Sequence, residues 1–135
     1  LSDFKAILIY NEETEEFRQT LYDFLAYRSL EFFQNTQFKL ADAATYVATT
    51  QVFVDRCLEL HIQGKLDPAT AAQAKLVATE MQNKVIDDCL QLHGGYGYMW
   101  EYPVTRAWAD SRAQRIYAGS NEIMKEIISR ARLSR

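Results

Sequence analysis

Gln91–Tyr98 reads QLHGGYGY and runs on into Met99-Trp100-Glu101-Tyr102-Pro103. Two adjacent glycines and a third at Gly97 would break any helix, so the segment reads as a fixed turn region. Long helical patterns run into it and out of it. It is also the densest aromatic patch of the chain, with Tyr96, Tyr98, Trp100 and Tyr102. Glycines let a backbone come close to another molecule or helix, and aromatic rings supply flat apolar area. Two readings of the spacing stay open. One is a helix C-cap at Gly94 and Gly95 followed by a packed loop. The other is a wall of a cofactor or subunit contact. The spacing is not GxGxxG and no strand precedes it, which excludes a dinucleotide-binding glycine turn.

Upstream, Leu66-Asp67-Pro68 starts a helix, with Asp67 as N-cap and Pro68 as first helical residue. That helix is expected from about Pro68 to His93. Ala69, Ala71, Ala72 and Ala74 give it a slim beginning, and Leu76, Met81, Val85, Ile86, Cys89 and Leu92 supply core positions. A preceding helix is expected from about Gln37 to His61, capped by Asn35 or Thr36 and ended by Gly64. Its core set is Leu40, Ala44, Val47, Val54 and Leu58. Two such helices joined by a short loop should lie antiparallel, each on the order of 35–40 Å long. They cannot bury their faces alone. Phe17, Leu21, Phe24, Leu25 and Phe32 suggest an earlier helix over residues 13–33, with an acidic first turn. Residues 1–12 have an apolar run without clear period, strand or helix.

Downstream, Pro103 opens a helix expected through about Ile116, where Arg106 and Asp110 are spaced for a pair. Tyr117-Ala118-Gly119-Ser120 interrupts it. Ser120 then caps a last helix through about Ala131, with Glu122 in its first turn and Ile123, Ile127 and Ile128 as its apolar face. The fold class implied is all-α, an antiparallel helical bundle.

The chain has 135 residues, 48% of them hydrophobic, enough for one domain with a real core. A formal net charge of -3 argues against a nucleic-acid binder. Two cysteines, Cys57 and Cys89, fit a reducing compartment rather than a disulfide framework. Charges interrupt every apolar stretch, so no membrane span is expected. The first residue is Leu1 rather than Met, which fits a fragment, a processed product or a chain whose first residues are missing.

Little chemistry is legible from spacing. Cys57 with His61, and Cys89 with His93, are four apart on helical faces, as zinc ligands can be. Antiparallel helices put the two couples at opposite ends of the pair, so core cysteines and helix-end histidines are the plainer reading, and no metal site is expected. No nucleophile elbow is present, and no catalytic residue is assigned. The loop before Asn121-Glu122 pairs a glycine with a hydroxyl at a helix N-terminus. That suits a phosphate or a carbonyl oxygen, though an ordinary serine cap is the plainer reading of the spacing.

The run QLHGGYGYMWEYPVTRAWADSRAQRIYAGSNEIMKEII resembles the carboxy-terminal end of an acyl-CoA dehydrogenase, most closely the long-chain and bacterial branch. The likeness continues upstream through LDPATAAQAKLVATEMQNKVIDDCL and FQNTQFKLADAATYVATTQVFVDRCLELH. It covers roughly residues 33–131. Residues 1–32 then form a weakly family-like helical segment ahead of a C-terminal-like helical domain over 33–135.

The resemblance implies an FAD-contacting and oligomerisation domain of a flavoprotein oxidoreductase of fatty acid metabolism. Gln91, Gly94 and Gly95 resemble the segment that packs against the FAD of a neighbouring subunit. Tyr117, Gly119 and Ser120 resemble the loop beside the flavin and the acyl thioester. Ser120 and Glu122 fall where members contact the far end of the cofactor. The implied reaction is α,β-dehydrogenation of an acyl-CoA, with electrons passed on to an electron-transferring flavoprotein. The implied assembly is a homo-oligomer or a pairing with another acyl-CoA dehydrogenase subunit. The implied compartment is the bacterial cytoplasm or the mitochondrial matrix.

Two departures stand out. Many members place the catalytic glutamate directly after the loop tyrosine, where this chain has Ala118. The long-chain and isovaleryl branches also have a small residue there and draw their base from a helix upstream of this stretch. Members also carry Arg-x-x-Phe-Gly before Phe33, whereas the ungapped place reads Asp23, Phe24, Leu25, Ala26 and Tyr27. The chain alone is therefore expected to be catalytically inert and to bind FAD weakly or not at all. The competing expectation is a non-catalytic binding or assembly module of the same descent.

Overall fold

The structure is a computed structural model that describes residues 33–133. Helix α1 spans Gln34–Ile62 and α2 spans Pro68–His93. A 3-10 segment, Gly94–Tyr98, leads to α3, Pro103–Gln114, and then α4, Asn121–Leu133. All regular structure among the described residues is helical, in agreement with the all-α expectation. The helix expected over 13–33, apart from Phe33, and the unassigned run 1–12 lie outside the described residues.

The corner between the long helices forms as its residues dictate. Gly64, at φ 68°, takes the left-handed position that ends α1. The Lys65 N–H reaches back to the Leu60 carbonyl at 2.8 Å and the Gly64 N–H to that of His61 at 2.9 Å, so two end carbonyls are satisfied. Asp67 then caps α2. Its Oδ1 accepts the Thr70 N–H at 2.9 Å and its Oδ2 accepts the Thr70 hydroxyl at 2.6 Å. Those bonds, the hydroxyl first, hold the Asp67 carboxyl below the usual carboxylate range. The start of α1 differs from expectation. Phe33 occupies the cap position without any side-chain cap bond, and its carbonyl accepts from Thr36 and Gln37. Asn35 and Thr36 therefore lie inside the helix. The backbone closed the first turn without a polar side chain, which no residue pattern announces.

Helix α2 is the centre of the bundle and touches α1, α3, α4 and the 3-10 segment. Against α1 it packs Ala74 and Ala78 on Val54 and Cys57 near the corner, and Val85 and Cys89 on Ala43 at the far end. The pairing runs in opposite directions along the two helices, so they are antiparallel. The buried seam of α1 is Thr36, Ala43, Thr50, Val54 and Cys57. From Thr36 it recurs every seven residues to Cys57, the spacing of two helices in sustained contact. The expected set is rotated from this: Val54 is buried, Leu40, Val47 and Leu58 are half-buried, and Ala44 is exposed. Small residues on the seam let the helices approach closely enough for it to be this narrow. On α2, Val85, Ile86 and Cys89 are buried as expected, while Leu76, Met81 and Leu92 are only half-buried. Helix α3 ends at Gln114, two residues short of Ile116.

Polar ties set the register. The Lys39 ammonium of α1 sits 2.6 Å from Asp88 of α2. This bond is the main reason the Asp88 carboxyl lies below its ordinary range, with Lys84 adding to it. On α3, the Trp108 indole N–H donates to Asp87 at 2.9 Å, and the Ser111 carbonyl accepts from Asn83 at 2.8 Å. Asp88 contributes stability that is present above its unfolded-state value and is lost as pH falls through the lower folded one.

Gly97 shows why a glycine ends up in the turn. A Cβ there would lie 2.4 Å from the Leu90 carbonyl oxygen, which belongs to the α2 backbone and cannot yield. At Gly95 a Cβ would meet nothing within 4 Å. Gly97→Ala is therefore expected to lose about 1–3 kcal/mol in urea unfolding, the usual cost of overpacking. Gly95→Ala should stay within about 0.5 kcal/mol of the parent, as surface changes do. Asp67→Ala should lose about 1 kcal/mol through its cap.

Candidate functional site

The residues singled out by sequence fall into two separate regions, one at the end of α2 and one between α3 and α4. The first is the C-terminal end of α2. Gly94 adopts φ 60° and ψ -137°, a conformation open to glycine, and terminates the helix. Gly94–Tyr98 then winds into a 3-10 turn rather than an irregular loop, because the glycines permit tight i→i+3 bonding. Gln91, Gly94 and Gly95 are exposed, and no atom lies within 4 Å of where a Cβ of either glycine would be. Tyr98 and Trp100 are 86% and 64% exposed.

The start of α3 fixes this segment. The Thr105 hydroxyl is shared between the carbonyls of Gly97 at 2.8 Å and Met99 at 2.7 Å. Arg106 Nη1 donates to the carbonyls of Trp100 at 2.8 Å and Glu101 at 3.2 Å. The expected Arg106–Asp110 pair is thus replaced by backbone contacts, which a spacing rule for side chains does not see. Beneath the turn, His93 is buried with Nδ1 2.8 Å from the Cys89 carbonyl. A carbonyl can only accept, so Nδ1 carries the proton.

The second region is the loop between α3 and α4. Ala118 has φ 52° and Gly119 φ 87°, two left-handed residues in succession. The Asn121 N–H reaches back to the Arg115 carbonyl at 3.1 Å and closes the loop at its base. Below it lies a polar cluster that the sequence reading missed. Asn121, 2% exposed, accepts at Oδ1 from the Lys75 ammonium at 2.6 Å and the Thr79 hydroxyl at 3.1 Å. Its Nδ2 donates to Glu80 at 2.7 Å, and Glu80 also holds the Arg115 guanidinium at 2.9 Å. Burial pushes the Lys75 ammonium below its ordinary range, opposed by the carboxylates of Glu122 and Glu80. The available signal was a lysine set among Ala71, Ala72, Ala74 and Ala78, where a solvated charge would not be expected.

Tyr117 and Gly119 are exposed and Ser120 is half-buried. The Glu122 carboxylate accepts its own backbone N–H and the Ser120 hydroxyl, and these hold it below the usual glutamate range. That places an acceptor at the N-terminus of α4, which suits a ligand hydroxyl or amine better than a phosphate. Of the expected isoleucine face, Ile127 and Ile128 are half-buried and Ile123 is 47% exposed, while Met124 is the buried anchor. Met124 follows Asn121 by three residues, so the buried side of α4 is the one that faces α2.

The two regions are not brought together. From Glu80, beneath the loop, to Gln91 is eleven residues of helix, on the order of 16 Å. Eleven residues are close to three turns, so Glu80 and Gln91 lie along the same side of α2. Among the described residues no three His, Cys, Asp or Glu groups gather to hold a metal. Cys57 and Cys89 sit in separate apolar clusters, and burial pushes the Cys89 thiol up to about 12. No described helix is long and apolar enough to cross a membrane.

The sequence profile described as acyl-CoA dehydrogenase, C-terminal domain, matches residues 7–133. The chain belongs to this family. The match begins well before Phe33, so the likeness extends further upstream than the motifs alone indicated. The long-chain specific acyl-CoA dehydrogenase, mitochondrial, of Sus scrofa is 56% identical over 97 residues, 72% of this chain and 23% of that protein. The chain thus spans about a quarter of the length of the curated relatives it matches. Butyryl-CoA dehydrogenase from Megasphaera elsdenii superposes with a TM-score of 0.81 at 30% identity, over 98% of this chain and 35% of that one. PigA, solved as an FAD complex, superposes with a TM-score of 0.68 at 28% identity, over 73% of this chain and 26% of that one.

The loop makes a direct pH prediction. Glu122 is expected to titrate below an ordinary glutamate in a carbon-detected NMR titration, its charged form favoured by the two donors. Ser120→Ala should move that titration upward while leaving the contribution of the backbone N–H in place. An unchanged Glu122 in the variant would mean that the hydroxyl bond is not made.

Proposed function

We propose that this chain is the FAD-contacting and oligomerisation domain of an acyl-CoA dehydrogenase. The family match over residues 7–133 carries the reading. Long-chain acyl-CoA dehydrogenation is the reaction suggested by the Sus scrofa relative. The compartment would then be the mitochondrial matrix in a eukaryote and the cytoplasm in a bacterium.

The residues present suit parts of an extended FAD. Gly94 and Gly95 offer a backbone face with no side chain in the way. Ser120 and Glu122 offer a hydroxyl and a carboxylate acceptor for donor groups at the other end. FAD, when bound, supplies the hydride acceptor for α,β-dehydrogenation of an acyl-CoA thioester. In this reading Gln91, Gly94 and Gly95 hold the cofactor of a neighbouring subunit, and the Tyr117–Ser120 loop orients the acyl thioester and excludes water. Electrons leave to an electron-transferring flavoprotein. Ala118 has no proton-accepting group, so the base comes from elsewhere in the assembled enzyme. General-base work needs an acceptor within about 2.6–3.2 Å of the proton, or one bridging water.

The second reading, a non-catalytic binding or assembly module, is favoured by the absence of Arg-x-x-Phe-Gly before Phe33. The two readings part on what these residues do when joined to the family's other domains.

A chain of these 135 residues alone is expected to self-associate, because Tyr98, Trp100 and the other exposed aromatics leave apolar area uncovered. Sedimentation at micromolar concentration should show a dimer or larger species, and a clean monomer counts against the oligomerisation role. The same chain should bind FAD poorly. Two separate walls do not enclose a ring, and each missing buried contact costs about 1–3 kcal/mol. Fluorescence titration checks this, and saturable one-to-one binding below about 1 μM would contradict it. Dye-coupled turnover of acyl-CoA by the purified chain is expected to be absent, and activity that survives stringent purification would overturn that.

A further inference from the structure

The Lys75–Asn121–Glu80 cluster has a directional logic that the functional reading does not use. The Asn121 amide has a cation and a hydroxyl at its oxygen and a carboxylate at its nitrogen. Turned over, it would face Lys75 with N–H donors and Glu80 with a lone pair, two repulsive contacts in place of two attractive ones. The side chain therefore has one orientation, chosen by charge at both ends. Arg115 closes the other end of the loop twice over, giving its carbonyl to the Asn121 N–H and its guanidinium to Glu80. The five residues between these anchors contain the strained element. Ala118 at φ 52° is a non-glycine residue in the left-handed region, a conformation that its Cβ disfavours. Such strain persists only where the surroundings over-determine it.

We infer that Lys75 and Asn121 are positioning residues whose task is to hold the Ile116–Ser120 loop in a single conformation, with Ala118 kept left-handed. A buried ammonium is a poor source of stability, since an apolar residue of similar shape often does as well. Its effect here is on which loop conformation is populated. Lys75 is 5% exposed and lies on α2, so the loop is referenced to the central helix of the bundle and not to either helix it connects. The side chains of Tyr117, Ser120 and Glu122 inherit their directions from that reference. That they face a flavin and an acyl thioester rests on the function proposed above. The fixing of the loop does not.

The test is backbone amide hydrogen exchange on the full chain without any ligand, monitored by NMR. Lys75→Met removes the ammonium and keeps the length of the side chain. Asn121→Leu removes all three side-chain bonds. In both variants the amide of residue 121, bonded to Arg115, is expected to exchange at least tenfold faster. The Val54 and Val85 amides in the long helices should change less than threefold. Unchanged exchange at Asn121 in Lys75→Met overturns the inference. So does equal acceleration at Val54 and Val85, which would make the cluster a prop for the whole bundle and not a clamp on one loop. If Asn121→Leu does not fold, Lys75→Met decides alone. Because no flavin is present, a loop that loosens as expected while the FAD reading fails elsewhere remains a separate result.

Discussion

A helix with neighbours on several sides has little surface left on which polar groups are solvated by default. Helix α2 is in that position, touching α1, α3, α4 and the 3-10 turn. Several of its acidic side chains find partners on those neighbours. Glu80 takes Arg115 and Asn121, Asp87 takes Trp108, and Asp88 takes Lys39. Each of these carboxylates ties a different part of the chain to the same helix. Apolar burial holds the bundle together, but it is tolerant of small rotations and slides. The directional bonds of α2 are not, and they decide which rotation of each neighbour is occupied.

That division explains which features could be read in advance. Helix ends governed by one residue's own geometry were legible: Gly64, Asp67 with Pro68, and Gly94 all act where their chemistry says. Features that depend on a partner many residues away were not. Ala43 and not Ala44 is buried because of where α2 lies, and both are alanine. Arg106 is spaced for a carboxylate four residues on, yet it bonds two carbonyls of the preceding turn. Lys75 belongs to the core because Asn121, far along the chain, offers it an oxygen. Met124 and not Ile123 is buried for the same reason, since Asn121 fixes which side of α4 faces inward.

The candidate site divides in the same way. The family resemblance implied ligand contact at Gln91, Gly94, Gly95, Tyr117, Gly119, Ser120 and Glu122, and all of them except the half-buried Ser120 lie on exposed surface. What the sequence did not supply was the support beneath them. Thr105 and Arg106 hold the glycine–aromatic turn by its carbonyls, and Lys75, Glu80 and Arg115 hold the loop. A surface residue declares its chemistry by type, whereas a supporting residue is defined by the geometry it serves.

Glu80 and Gln91 share one side of α2 because about three turns separate them. Helical phase makes that relation brittle in length. One residue inserted between Glu80 and Gln91 would advance one end by about 1.5 Å but swing it by about 100°, a quarter-turn and more. Glu80 and Gln91 would then point in different directions even if every side chain were retained. Only insertions or deletions near a whole number of turns, seven residues being the closest small one, would preserve the alignment. This part of α2 is therefore free to vary in composition far more than in length.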